Sequence, residues 1–261
     1  MPTIRSGDAD IFYEATGDGE PVLLIMGLGA DSRMWMLQTP VFSSRYRCIS
    51  LDNRGVGRSS APEGSYTTEQ MAGDALAVLD AAEIERAHIV GISLGGAIAQ
   101  QVALKAPERV RSLTLAATWC ARNPYTERMA EVGRAVASIG DQVLIRSALL
   151  WTFSPGTIIG NAALLDQIER VAADLHPSPE AFLRQLDAVV AHDTVASLGS
   201  LTMPALVMIA RRDIMVPPEL GHQVAAAIPG AEVVELEGGH AFNMESVAEF
   251  NTAIMDFLER H

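Results

Sequence analysis

The chain is short of cysteine, of basic residues and of long apolar runs, and each shortage removes a class of function. Only Cys48 and Cys120 occur among 261 residues. They form no Cys-x-x-Cys pair, so neither a zinc site nor a thiol–disulfide redox motif has support. Cys48 lies inside a strand-like run at 46–51, where a buried free thiol is expected. The 19 Lys and Arg are outnumbered by 32 Asp and Glu, for a net charge of −13. A nucleic-acid partner requires clustered cations and is not expected here; the acidity is read as serving solubility. No apolar run approaches the ~18 residues a membrane-spanning helix needs. Residues 1–7 carry neither the apolar core of a secretion signal nor a lipidation pattern. A soluble cytoplasmic protein without a membrane partner is the expectation. There are no internal repeats and no low-complexity tracts. What remains is a globular composition, 49% hydrophobic and 20% charged, with ample material for a core.

Strand and helix signals alternate over the first part of the chain. Apolar runs at 21–26 (PVLLIM), 46–51, 86–92 and 110–117 read as strands buried on both faces, as in a parallel sheet covered by helices. Thr67 and Gln70 form a capping box ahead of a helix whose face is Met71, Ala75, Val78 and Leu79. A small-residue helix runs from Leu94 to Ala106, and Pro107 ends it. Strand signals then stop, and residues 122–198 hold four helix-like stretches. Met129, Val132, Val136 and Ile139 mark the first; Leu144, Ala148, Leu149 and Trp151 the second; Leu164, Leu165, Ile168, Val171 and Leu175 the third. The fourth opens at Ser178-Pro179, an N-cap followed by proline at the first helical position, and continues through Phe182, Leu186 and Val189. Strands return at 205–210 and 231–236, each followed by a helix. The expected organisation is an α/β core made of 1–121 and 199–261, with a helical cap at 122–198 over the active-site end.

The segment Gly91-Ile92-Ser93-Leu94-Gly95 stands between a strand and a helix. A serine on such a turn is forced outward, and the positions two before and two after it approach closely enough to favour glycine. Its hydroxyl is a weak nucleophile that needs a base, itself oriented by a carboxylate. Of histidines 88, 176, 192, 222, 240 and 261, His88 reads as a core residue, His176 and His192 fall in the helical insertion, His222 reads as a surface residue and His261 is terminal. His240 follows Gly238-Gly239 directly after the last strand. Asp213 follows another strand and precedes Val216-Pro217-Pro218, where a helix opens. The order Ser93, Asp213, His240 leaves room for the intervening elements. The developing oxyanion would be held by the backbone N–H of Leu94, after the nucleophile, and of Leu28, in the loop Gly27-Leu28-Gly29-Ala30.

In these features the whole chain resembles the α/β-hydrolase superfamily. The residues that carry the resemblance are GISLGG, ARRDIMVP, GGHAFNMESVAEFN and the loop from Leu51 to Ser59, which is similar to D-x-R-G-x-G-x-S. Length and helical insertion are most similar to 3-oxoadipate enol-lactonases, aclacinomycin methylesterases and small carboxylesterases. The resemblance implies an α/β-hydrolase fold: a mostly parallel sheet flanked by helices, with the cap inserted after the sixth strand. Two departures matter. Met26-Gly27 replaces the His-Gly of many relatives, and Asp52-Asn53-Arg54 belongs to a supporting loop with no catalytic role assigned. A serine at the elbow disfavours the haloalkane-dehalogenase and epoxide-hydrolase branches.

The expected activity is hydrolysis of a carboxylic ester or lactone by Ser93, His240 and Asp213, with no metal and no organic cofactor. Leu28, Trp119, Cys120, Met129, Leu149, Trp151 and Phe153 are the candidate pocket walls for a small, largely apolar substrate. Arginines 122, 128, 134, 146, 170 and 184 are candidates for a substrate carboxylate, though surface charge is the commoner role. Three other readings compete. Gly27-x-Gly29-x-x-Ser32 with Asp52 partly mimics a dinucleotide-binding fingerprint, but Ser32 replaces its third glycine and the reading leaves the triad unexplained. A hydrolase-like receptor with slow turnover would keep the same pocket. A lyase or cofactor-free oxygenase would share the fold and triad.

Overall fold

The computed structural model describes residues 2–175 and 178–261. Eight strands form one sheet: β1 (Thr3–Ser6), β2 (Ala9–Thr16), β3 (Glu20–Ile25), β4 (Tyr46–Leu51), β5 (Ala87–Ile92), β6 (Val110–Ala116), β7 (Ala205–Ala210) and β8 (Glu232–Leu236). Their spatial order is β1-β2-β4-β3-β5-β6-β7-β8. β2 is antiparallel to β1 and β4, and every pairing from β4 through β8 is parallel. The resemblance implies six strands before the helical insertion, and six are there, but the residues themselves do not mark the first two. β1 has four residues and none fully buried, and β2, eight residues long, is interrupted by Asp10 and Glu14, so neither carries a continuous apolar run like those of β3 and β7.

Among the described residues, eleven α-helices accompany the sheet: α1 (Thr39–Phe42), α2 (Thr68–Ala81), α3 (Leu94–Lys105), α4 (Pro124–Ala137), α5 (Asp141–Thr152), α6 (Pro155–Gly160), α7 (Ala162–Leu175), α8 (Pro179–Ala191), α9 (Pro218–Ala227), α10 (Phe242–Glu245) and α11 (Val247–Glu259). Alternate strand residues feed two cores. Leu23, Ile25 and Ile89 pack with Met71, Val78, Ile98 and Val102 of α2 and α3. Val22, Leu24 and Val90 pack on the other face with Phe250, Ile254 and Phe257 of α11. Thr67 Oγ1 caps α2 by accepting from the Gln70 N–H at 3.0 Å. Among the described residues, no helix is long and apolar enough to cross a membrane.

Helices α4–α8 all lie between β6 and β7, and the ends of this excursion meet where the Thr194 N–H donates to the Cys120 carbonyl at 2.7 Å. Sequence suggested four helices here, and the described residues form five. The extra one, α6, starts at Ser154-Pro155 with the same cap-and-proline signature that announced α8. The first predicted stripe also needs correction. Val132 and Ile139 are 47% and 69% exposed, and the buried face of α4 is Thr126, Ala130, Gly133 and Ala137. Small residues let α4 approach α8, where a Cβ on Gly133 would stand 3.4 Å from Leu186. The side chains of Leu164, Val171 and Leu175, and all of His176, lie outside the described residues.

Candidate active site

The site is assembled from three loops that leave the carboxyl ends of parallel strands. Ser93 joins β5 to α3 at φ 57°, ψ −122°, a left-handed conformation that costs a non-glycine residue on the order of 1–3 kcal/mol. The surroundings enforce it. The Ser93 N–H donates to the Ala116 carbonyl at 2.8 Å, and Thr118 Oγ1 donates to the Ser93 carbonyl at 2.8 Å. A Cβ on Gly91 would collide with the Gly95 carbonyl, and one on Gly95 with the Ile25 carbonyl. Thr118 was not singled out from sequence; nothing but its place just after a strand hinted at it.

His240, on the loop after β8, places Nε2 2.8 Å from Ser93 Oγ and Nδ1 2.7 Å from Asp213 Oδ2. Asp213, on the loop after β7, is buried, and its other oxygen accepts from the Met215 and Val216 N–H groups at 2.8 and 2.9 Å. That leaves one carboxylate oxygen aimed at the imidazole and fixes Nδ1 as its protonated nitrogen, with Nε2 free to accept from serine.

The loop after β3 lies against the serine, since a Cβ on Gly27 would stand 3.1 Å from Ser93 Cβ. Leu28 N–H, on that loop, donates no hydrogen bond among the described residues. Leu94 is the first residue of α3, where an N–H has no intrahelical acceptor. Both are therefore available donors beside the hydroxyl, and the α3 dipole adds positive potential there.

Ser93 and His240 face a cavity of about 290 Å³. Leu28, Trp119, Met129, Leu149, Trp151 and Phe153 all line it, as the sequence suggested, whereas Cys120 is buried in the core and is not among its described lining residues. So do Ile145, Phe182 and Leu186, which carried no distinguishing signal beyond helical spacing. None of the six candidate arginines does. Arg122, Arg128, Arg134 and Arg146 pair with Glu127, Glu131, Asp187 and Glu169; Arg184 donates to the Pro62 carbonyl; Arg170 is exposed.

The remaining polar groups have other partners. Asp52, the residue a bound ribose would require, is buried and accepts from the Arg58 guanidinium and from the Arg58 and Ser32 N–H groups. Those bonds outweigh its burial and hold its carboxyl below the usual range. It is thus occupied as a loop brace, which removes the dinucleotide reading. His88 bonds Ser112 at 2.7 Å in the core, and His222 is half exposed beside Glu235. Burial pushes the thiols of Cys48 and Cys120 up to about 12 and about 11, so neither is a nucleophile at neutral pH.

A match to the alpha/beta hydrolase fold family spans residues 20–247, and the chain belongs to that family. Its relatives are named for several hydrolytic reactions. It is 34% identical over 259 residues to a protein of Azorhizobium caulinodans named "Putative carbamate hydrolase RutD", with 98% of each chain covered. The enol-lactonase of Burkholderia xenovorans LB400 superposes with a TM-score of 0.92 at 28% identity, covering 99% of this chain and 100% of that one. A thermophilic esterase of Thermogutta terrifontis gives 0.87 at 26% identity, covering 97% and 94%. The chain is a hydrolase of this fold, with its eight-stranded, mostly parallel sheet and flanking helices.

Proposed function

We propose that this chain is a serine hydrolase that cleaves a carboxylic ester or lactone of a small, uncharged, largely apolar substrate. One observation carries the reading: the hydrogen-bonded series Ser93, His240, Asp213 opens onto an apolar cavity with no Arg or Lys among its described lining residues. Ser93 Oγ attacks the carbonyl carbon as His240 Nε2 takes its proton. Negative charge collects on the carbonyl oxygen and is held by the Leu28 and Leu94 N–H groups. The imidazolium, steadied by Asp213, returns the proton to the departing alkoxide, which leaves an acyl-Ser93 ester. Water, deprotonated by the same imidazole, then releases the acid and restores Ser93.

Residues 122–198 act as the cap that shapes the acyl site. Trp119, Met129, Leu149, Trp151 and Phe153 are its contact walls. At about 290 Å³ the cavity is at the small end of ligand pockets, which favours short acyl groups. Burying a carboxylate there would leave its charge unpaired. The relatives named enol-lactonase, esterase and carbamate hydrolase all point to substrates with an acyl carbonyl that such a serine could attack.

The test is a panel of p-nitrophenyl esters of graded acyl length, several lactones, a carbamate ester and a half-ester bearing a free carboxylate. Short neutral esters or lactones should give the highest kcat/KM and the half-ester the lowest. Ser93→Ala should lower kcat by more than about 10⁴-fold with the fold intact. Unchanged turnover in folded Ser93→Ala would overturn the mechanism, and a carbamate turned over above every ester and lactone would replace the substrate class.

A further inference from the structure

We propose that Gln185, on α8 of the helical insertion, is a positioning residue for the oxyanion hole. The inference rests on the serine-hydrolase reading above. The donor at stake is the Leu28 N–H, and the loop carrying it has little of its own to hold its shape. β3 ends at Ile25, so sheet pairing no longer restrains the backbone beyond that point. Within the loop, the Ala30 N–H reaches the Gly27 carbonyl at a long 3.3 Å.

Two side-chain amides brace the peptide from outside. Asn53 Nδ2 donates to the Met26 carbonyl at 2.9 Å, on one side of Leu28. On the other side, the Gly29 N–H donates to Gln185 Oε1 at 2.9 Å. Gln185 Nε2 in turn donates to the Arg54 carbonyl at 2.8 Å. The partners determine the amide orientation, because a peptide N–H only donates and a carbonyl only accepts. The anchor is itself rigid: buried Arg54 makes a two-point ion pair with Asp74 at 2.7 and 2.8 Å.

The same helix meets the same glycine a second time. Phe182, three residues before Gln185, would stand 3.4 Å from a Cβ on Gly29, whose φ is +69°. α8 thus supplies both an acceptor and a wall for a residue in the left-handed conformation. If Gln185 lost its acceptor, the partly buried Gly29 N–H would seek another, and a turn of the Leu28–Gly29 peptide would shift Leu28 and, with it, the adjoining peptide whose N–H lies beside Ser93. Gln185 is 0% exposed and is not among the cavity-lining residues. It therefore acts on the reaction through the loop and not through substrate.

That placement predicts a split between binding and turnover. Gln185→Met keeps the size and removes the acceptor. Its kcat should fall by about 10- to 100-fold, less than the ~10²–10³-fold cost of deleting an oxyanion donor outright because Leu28 is displaced and not removed, while KM on a short p-nitrophenyl ester stays within about twofold. Phenylboronic acid, whose adduct on Ser93 is tetrahedral, should lose affinity by the same factor as kcat/KM. Gln185→Glu retains an acceptor for Gly29 and should keep more of kcat than the Met variant. Circular dichroism and active-site titration confirm fold and active fraction in each case. The inference is overturned if folded Gln185→Met has wild-type kcat, if the Glu variant is no better than Met, or if boronate affinity and kcat/KM part company in either variant. These outcomes are separable from failure of the parent reading. An inactive wild type, or an active Ser93→Ala, removes the serine mechanism; an active wild type, a dead Ser93→Ala and a normal Gln185→Met remove only the role of Gln185.

Discussion

Ser93 is held in a backbone conformation it would not choose alone, and the groups that hold it are ordinary hydrogen-bonding partners. Thr118 contributes one of them, its hydroxyl donating to the Ser93 carbonyl while its side chain fills the space beside Gly96, where a Cβ would come within 2.7 Å of it. Thr118→Val keeps the shape and deletes the donor. Stability should fall by about 1 kcal/mol in urea denaturation, the usual worth of a buried hydrogen bond. Ester turnover should fall by a few-fold as the elbow relaxes. The hydrogen-bonded series Ser93, His240, Asp213 was legible in sequence because each residue lies within a few positions of the end of a strand-like run. Thr118, Asn53 and Gln185 were not. They act through one or two hydrogen bonds to backbone atoms distant in sequence, and a backbone partner leaves no mark on residue type.

At the scale of elements, the strands buried on both faces were the easiest to read, and the two at the antiparallel edge the hardest. The helices of the insertion show what apolar spacing can and cannot settle. It located α4, yet pointed to Val132 and Ile139 where the packed face is Ala130, Gly133 and Ala137. Side-chain size, not hydrophobicity, governs that contact, because close approach of α8 leaves room for little more than hydrogen or methyl. Gly133→Ala follows from this. Alanine is favoured over glycine within a helix by about 1 kcal/mol, and the added methyl would meet Leu186 at ordinary contact distance, 3.4 Å. The variant should be more stable by about 0.5–1 kcal/mol, read as a Tm rise of a few degrees in calorimetry.

For the whole molecule, acid is the condition that should loosen it. His192 is buried beside Thr68 of α2 and Gln100 of α3, bonding Thr68 Oγ1 at 2.9 Å, and burial lowers its pKa from 6.5 to about 4. His88, on the far side of β5, is lowered to about 4 by burial and by the nearby Arg111. In the unfolded chain both imidazoles bind protons near 6.5. Between those values the unfolded state holds more protons, so this contribution is fully present above about pH 6.5 and is lost as pH falls toward 4. For His192 alone the loss by pH 4 is roughly 3 kcal/mol. Urea unfolding at pH 7.5 and 4.5 should show a smaller acid-induced drop in His192→Asn than in wild type; equal drops would show that His192 does not carry the linkage. The hydrogen bond between Thr194 and Cys120 has a consequence of another kind. Because the start and finish of the helical excursion already touch, its length enters the free energy only through a term that grows logarithmically, about 0.6 kcal/mol per doubling. Segments of the excursion that make no bond to the loops around Gly29 and His240 are free to be lengthened or trimmed with little disturbance to the sheet beneath it. Under the proposed function, acyl preference can drift with the excursion, while bond-breaking chemistry stays coupled to it only where its helices bond the loops around Gly29 and His240.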